Sequence, residues 1–296
     1  MTTTQDLVSD RLFEVNNFAA VVTGGGTGIG LMATQGLVAN GARVYIVGRR
    51  QEVLDNVVKQ YSPAGPGKIL AIQADITDPN DVEKLVKEVE KQEPNGINVL
   101  VNNAGITLEK DKKSESSSVD YNSAESVRNF LLGGRDAWQQ TLSTNVVAQH
   151  FLTASFIPAL DKGRKLVPGH SSSVINISSI SGTSKTHSAG QFAYAASKAA
   201  LTQLSRQLAF TLHPLRIRVN CIEPGVFPSE MTAGESDEMQ KSKLEGMGEK
   251  FPAGRTGQES DIASAVLYLS SRAGTFVNGE TIRVDGGALL TSPSAA

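Results

Sequence analysis

The sequence predicts an α/β fold: a doubly wound parallel sheet of about seven strands with helices on both faces. Three observations carry that expectation. Short β-branched runs alternate with longer segments of helical period, a glycine turn joins the first run to the first helical segment, and no composition break or internal repeat divides the 296 residues. In order, the strands are expected at Phe18–Val22, Ala42–Val47, Lys68–Ile72, Ile97–Val101, Ser173–Ser178, Arg216–Ile222 and Thr281–Val284. Between them lie helical patterns such as Asp81–Gln92, carrying Val82, Leu85, Val86 and Val89, and Ala195–Leu212, carrying Leu201, Leu204, Leu208 and Leu212. One domain is expected, with its core over about residues 18–290.

Two stretches interrupt the alternation. Glu109–Ser123 has only Val119 and Tyr121 as apolar residues, too few to bury it, and is expected to be a mobile surface segment within an insertion at about 107–135. Asp161–Ser172, with Gly163, Pro168 and Gly169, reads as a second loop. Loops held by a rigid scaffold often wall a binding site, which is the functional alternative to a solvated excursion.

Composition excludes several classes of function. The 28 Lys and Arg against 30 Asp and Glu leave a net charge of −2, so no basic field draws in nucleic acid or an anionic membrane. Cys221 is the single cysteine, which fits a reducing compartment, and neither the N-terminus nor any other segment has the apolar run of a signal or a membrane span. A cytoplasmic protein is expected. His150, His170, His187 and His213 are scattered without metal-ligand spacing, so no metal is expected, and His187 reads as an exposed loop histidine.

Directly after the first strand comes Thr23-Gly24-Gly25-Gly26-Thr27-Gly28-Ile29-Gly30, followed by the helical pattern Leu31–Ala39. Glycines between a strand and a helix N-terminus let the backbone approach a pyrophosphate, while unpaired N–H groups and the helix dipole favour the anion. Dinucleotide folds selective for NAD place an acid at the end of the second strand to bind the ribose 2′-hydroxyl. Here that end reads Val47-Gly48-Arg49-Arg50, and Arg49 offers a permanently charged fork suited to a 2′-phosphate. NADP(H) is therefore the expected cofactor.

Further along, Asn102-Asn103-Ala104-Gly105 follows the fourth strand, Tyr194-Ala195-Ala196-Ser197-Lys198 opens a helix, Pro224-Gly225 follows the sixth strand and Val284-Asp285-Gly286-Gly287 ends the series. Together with the glycine turn, this set resembles the short-chain dehydrogenase/reductase family from about Phe18 to Leu290. The resemblance implies a Rossmann-type fold and an oxidoreductase that passes hydride between NADP(H) and a small carbonyl or alcohol substrate. The segments Gly190–Tyr194 and Pro224–Thr232 look most like NADPH-dependent 3-oxoacyl reductases and microbial secondary-metabolism ketoreductases. An NAD-dependent alcohol dehydrogenase of the same family and a non-catalytic dinucleotide-binding protein are the alternatives.

The resemblance implies a catalytic set of Asn145, Ser179, Tyr194 and Lys198. Tyr194 and Lys198 are four residues apart on a helix, so both project from one face. A phenol of ordinary pKa about 10 is a poor base unless a cation stabilises its phenolate; in reduction the same phenol donates its proton to the carbonyl oxygen. For the serine, counting back three from Gly182 in Asn176-Ile177-Ser178-Ser179-Ile180-Ser181-Gly182 selects Ser179, whereas counting back from Tyr194 selects Ser181. Ser179 is preferred because the extra residues fit more easily in the Thr183–Ala189 loop, and Ser178 is the remaining candidate. Asn145 matches an asparagine that helps hold a water linking the lysine to solvent. The cofactor would be bound by Gly24, Thr27, Gly28, Ile29, Gly30, Arg49, Asp75, Ile76, Asn102, Ala104, Gly105, Tyr194, Lys198, Pro224, Gly225, Val226 and Ser229, with Thr232 competing with Ser229. Asp75 reads equally well as a turn or capping acid. Substrate walls are expected from Thr107–Arg135, Thr183–Gln191 and Val226–Lys250. A homotetramer or homodimer built from the helices around Trp138–Leu160 and Tyr194–Leu212 is also implied.

Overall fold

A computed structural model describes residues 3–109, 112–167, 169–186, 188–244 and 248–292. Seven strands, β1 (Ala19–Thr23), β2 (Arg43–Gly48), β3 (Lys68–Gln73), β4 (Val99–Asn102), β5 (Ser172–Ile177), β6 (Ile217–Pro224) and β7 (Thr281–Val284), form one sheet in the order β3-β2-β1-β4-β5-β6-β7. Every neighbouring pair is parallel. The sheet is the expected one, and strand ends shift by one or two residues for local reasons. Arg216 cannot begin β6, for example, because it takes φ 54° at the end of the His213–Leu215 turn.

Alternation along the strands divides the core in two. On one face of the sheet Ala20, Val22, Val44, Ile46, Val99 and Val101 meet helices α1 (Gly28–Ala39), α2 (Gln51–Tyr61) and α8 (Glu259–Ser270). On the other, Ala19, Val21, Tyr45, Val47, Leu100 and Val174 meet α3 (Pro79–Gln92), α6 (Gln149–Gly163) and α7 (Phe192–Leu212). Strand order reverses between β1 and β4, and a crevice opens at the carboxyl ends of the strands at such a point.

The two expected loops are more ordered than their composition indicated. In the insertion, Lys112–Ser117 is helical and α4 (Ala124–Leu132) follows, its first turn capped by the Ser123 hydroxyl, which accepts from Ser126 N. Phe130 of α4 is buried and packs edge-on against Phe192 at 5.9 Å, so the insertion docks on α7. The apolar anchor lies just beyond Ser123, where the polar stretch ends. α5 (Arg135–Leu142) leads through a π-helical turn at Ser143–Ala148 into α6. Likewise Asp161–Gly163 belong to α6 and His170 is buried, leaving a shorter second loop than expected; Pro168 lies outside the described residues, as does His187.

His170 gives the fold a testable pH dependence. Its Nε2 lies 2.9 Å from Ser270 O, its ring packs edge-on against Phe18, and burial pulls its pKa down to about 4. The unfolded chain therefore takes up a proton near the ordinary pKa of about 6.5 that the folded chain refuses, so stability is complete above that value and is lost as pH falls toward 4. The expected loss approaches about 3 kcal/mol. Urea unfolding at pH 7.5 and at pH 5 (about one and a half units below the ordinary value) should show this component in the wild type and not in His170→Phe; equal pH sensitivity in both would refute it.

Candidate active site

Thr23, at the end of β1, ties the sheet's switch point together: its Oγ1 accepts from Asn103 N and Ala104 N, both at 3.0 Å. The chain then turns through Gly24 at φ 63°, a left-handed conformation that side chains resist. A Cβ at Gly30 would overlap the Gly24 carbonyl oxygen and the Asn103 side-chain amide, so this glycine lets α1 close onto the turn. Thr27, the N-cap residue of α1, makes no side-chain capping bond, and no acid sits in the first turn. The donors and the positive end of the dipole thus remain suited to an external anion.

The turn opens into a cleft of ≈ 750 Å³. Gly24, Gly26, Thr27, Gly28 and Ile29 line its floor, Arg49, Arg50, Asp75 and Ile76 one end, and Ala104, Gly105, Tyr194 and Lys198 the other. At the first end, Arg50 forms a two-pronged pair with Glu230 across the cleft mouth, at 2.9 and 3.2 Å. Among the described residues no carboxylate pairs with the exposed Arg49. Asp75 Oδ1 accepts from Thr77 N and Thr77 Oγ1, the turn-forming arrangement that its sequence allowed.

At the other end, Tyr194 and Lys198 sit in the first two turns of α7, with Lys198 Nζ 5.6 Å from the Tyr194 ring centre and donating to Ile177 O at 2.8 Å. The Ser179 hydroxyl is near enough to the Tyr194 phenol to act on its pKa. Burial raises the Tyr194 pKa against the lowering influence of the Ser179 hydroxyl, and burial pulls the Lys198 ammonium down to about 8. At neutral pH the tyrosine therefore holds its proton and the lysine is largely a cation. Ser178 Oγ donates to Lys198 O, and Ser181 N donates to Ser179 Oγ. Asn145 lies in the π-helical turn, a feature frequent at functional sites. It is fully used: Oδ1 accepts from Ile106 N, and Nδ2 donates to Ile106 O and Ser197 Oγ. A Cβ at Gly105 would come within 3.1 Å of Asn145 Oδ1 and 3.4 Å of Lys198 Nζ, so the glycine keeps this end open.

Some expected residues fall elsewhere. Asn102 points into the sheet, where its Nδ2 donates to Thr153 Oγ1 and Asn176 Oδ1, and it does not line the cleft; Asn103 does, because successive strand residues face opposite ways. Gly30 lies behind the floor, and Asn145, Ser179, Pro224, Gly225 and Val226 are also absent from the lining, which Ser178 joins; Gly225 packs against Asp285. Ser229 lines the cleft, whereas Thr232 is turned back to donate to Phe227 O. Of the expected substrate walls, Thr107, Leu108, Glu230 and Met231 line the cleft. Gln140, Ser143 and Thr144 join them from α5 and the π-helical turn. These three were missed, and their signal was the polar face they share just before Asn145.

A parallel sheet with this strand order, a glycine turn at its switch point and a tyrosine–lysine pair in the same cleft define a dinucleotide-binding oxidoreductase fold. Residues 18–240 match the family model described as short chain dehydrogenase, and the chain belongs to that family, whose members bind a nicotinamide dinucleotide. It is 38% identical, over 99% of its length and 98% of the relative's, to the short-chain dehydrogenase/reductase PhomF of Diaporthe leptostromiformis. It is 32% identical to the 3-oxoacyl-acyl-carrier-protein reductase FabG of Chlamydia pneumoniae, covering 90% of this chain and 95% of that one. The solved Pseudomonas aeruginosa RhlG/NADP active-site complex matches with a TM-score of 0.77 and 31% identity, covering 94% of this chain and 98% of the other. Among the described residues, no helix is long and apolar enough to cross a membrane.

Proposed function

We propose that the chain is an NADPH-dependent ketone reductase acting on a small carbonyl substrate, with one catalytic domain over about residues 18–290. The observation that carries this reading is Tyr194 beside the buried Lys198, whose Nζ lies 5.6 Å from the phenol ring centre, at one end of the glycine-floored cleft, with burial raising the phenol's pKa so that it keeps its proton. A tyrosine that holds its proton is set to give it up, which is the reductive direction.

NADPH, when bound, supplies the hydride. The chain's own residues do the rest. The α1 N-terminus and the Gly24–Ile29 turn hold the pyrophosphate, Arg49 holds the 2′-phosphate, and Lys198 and Ser229 hold the nicotinamide end. Ser179 and Tyr194 fix the substrate oxygen between their hydroxyls, and Tyr194 transfers its proton to that oxygen. Lys198 stabilises the phenolate that results. Ser179 is the serine of choice because its hydroxyl is the one that acts on the Tyr194 phenol, whereas the Ser178 hydroxyl is committed to Lys198 O. Asn145 binds the Ile106 backbone at both its N–H and its carbonyl, which keeps the wall behind Lys198 in place for proton resupply. The NADP-containing neighbour and the reductase relative support the cofactor and the reaction. Val147, Phe151 and Phe210, exposed on the π-helical turn, α6 and α7, support a homotetramer or homodimer formed through these helices.

Charge at the end of β2 makes the test specific. Carbonyl compounds of graded size are screened by loss of NADPH absorbance, and cofactor affinity is then measured for Arg49→Ala. Losing a charge-assisted bond should weaken NADPH binding roughly tenfold or more and leave NADH binding nearly unchanged. Equal weakening of both would remove Arg49 from the phosphate and with it the preference for NADP(H).

A further inference from the structure

α7 carries both Tyr194 and Lys198, yet its own N-terminus is poorly provided for. Gln191 is the N-cap residue and makes no side-chain capping bond. The chain reaches it through three consecutive left-handed residues, Ser188 at φ 46°, Ala189 at φ 56° and Gly190 at φ 87°. The first N–H groups of a helix have no partner within it, and burying them unsatisfied is costly.

A distant carboxylate fills the gap. Glu109, in the segment that leaves β4 and opens the insertion, is 6% exposed; its Oε1 accepts from Ala193 N at 3.1 Å and its Oε2 from Tyr194 N at 3.0 Å. The two segments are joined again where Gln191 Nε2 donates to Thr107 Oγ1 at 3.2 Å. A negative group at this end also complements the helix dipole. One of the two bonded amides belongs to Tyr194 itself, so the carboxylate fixes the backbone from which the phenol is aimed at Ser179.

We propose that Glu109 is a positioning residue for Tyr194: it caps the catalytic helix from outside and sets the phenol in register with Ser179 and Lys198. The proposal rests on the reading of Tyr194 as proton donor. It also gives the insertion a task, since Thr107 and Leu108 line the cleft and Glu109 follows directly in the chain. A substrate pressing on that wall acts on the same segment that holds the first turn of α7.

The test combines amide hydrogen exchange with steady-state kinetics on full-length Glu109→Ala and Glu109→Gln, with Tyr194→Phe alongside. Exchange at Ala193 and Tyr194 should accelerate at least tenfold in Glu109→Ala, while exchange in the sheet stays as in the wild type. Turnover should fall roughly 10- to 100-fold with the NADPH KM within about twofold, because the cofactor's floor and rim are untouched. Glu109→Gln keeps one acceptor oxygen and should lie between, and it decides the matter if Glu109→Ala fails to fold. Unchanged exchange at the two amides, or turnover within about twofold of the wild type, overturns the proposal. If Tyr194→Phe keeps its activity, the failure lies instead with the proton-donor reading, and the exchange result still judges the cap.

Discussion

Tyr194→Phe is expected to lower ketone-reducing turnover by roughly 10²- to 10⁴-fold while cofactor affinity stays near that of the wild type. The ring and its packing are kept, and the one group that can pass a proton to the substrate oxygen is removed. Burial matters to the size of the effect. With the phenol largely buried and its pKa raised, bulk water is poorly placed to substitute as the acid. Ser179 remains, and it can hold the oxygen, but an aliphatic hydroxyl is a far weaker acid than a phenol. Turnover is read from NADPH oxidation on a confirmed substrate, and affinity from fluorescence titration of NADPH. A Phe variant that keeps most of its activity would sink the mechanism.

Gly30→Ala is expected to be the most damaging of the single-methyl additions to the glycine turn. The new Cβ would be forced onto the Gly24 carbonyl oxygen and the Asn103 side-chain amide. Gly24 sits in a constrained turn and donates to Val47 O at 2.7 Å, and Asn103 donates to Thr23 O at 2.9 Å, so neither can retreat without loosening the junction of β1 with β2 or with β4. Helix α1 must move away from the strand instead. Overpacking of this kind, with a displaced helix, should cost about 3 kcal/mol or more and weaken NADPH binding as well, since the α1 N-terminus forms the cleft floor. Urea denaturation and NADPH titration of the same preparation check both halves. Wild-type stability in Gly30→Ala would show that the turn is looser than its packing.

Much of this was legible in the sequence because it depends on local physics. Parallel strands buried on both faces need continuous apolar runs, and the seven runs could be counted. The glycines after β1 mark the places where a side chain has no room, whatever lies around them. Arg49 could be read at the end of β2 because its position follows from the strand's length and its chemistry from its side chain. Tyr194 and Lys198 face the same way because a helix repeats every 3.6 residues.

Other features depended on residues remote in sequence. Of two adjacent asparagines, the register of β4 between β1 and β5 turned Asn102 into the sheet and Asn103 to the cleft. α7 begins at Phe192, three residues before the expected start, where Glu109 serves the amides of residues more than eighty positions away. Gln140 reaches the cleft from α5, and Ser143 and Thr144 from the π-helical turn that follows it, a placement that their shared polar face hinted at and only the fold decided. The sequence by itself determined the strands, the glycine turn and the reactive side chains available, since periodicity and backbone freedom are properties of short segments. The tertiary structure alone decided which neighbours face the cleft, how far burial moves Tyr194 and Lys198 from their ordinary pKa values, and what holds their helix, because desolvation and capping come from groups that meet only when the chain has folded.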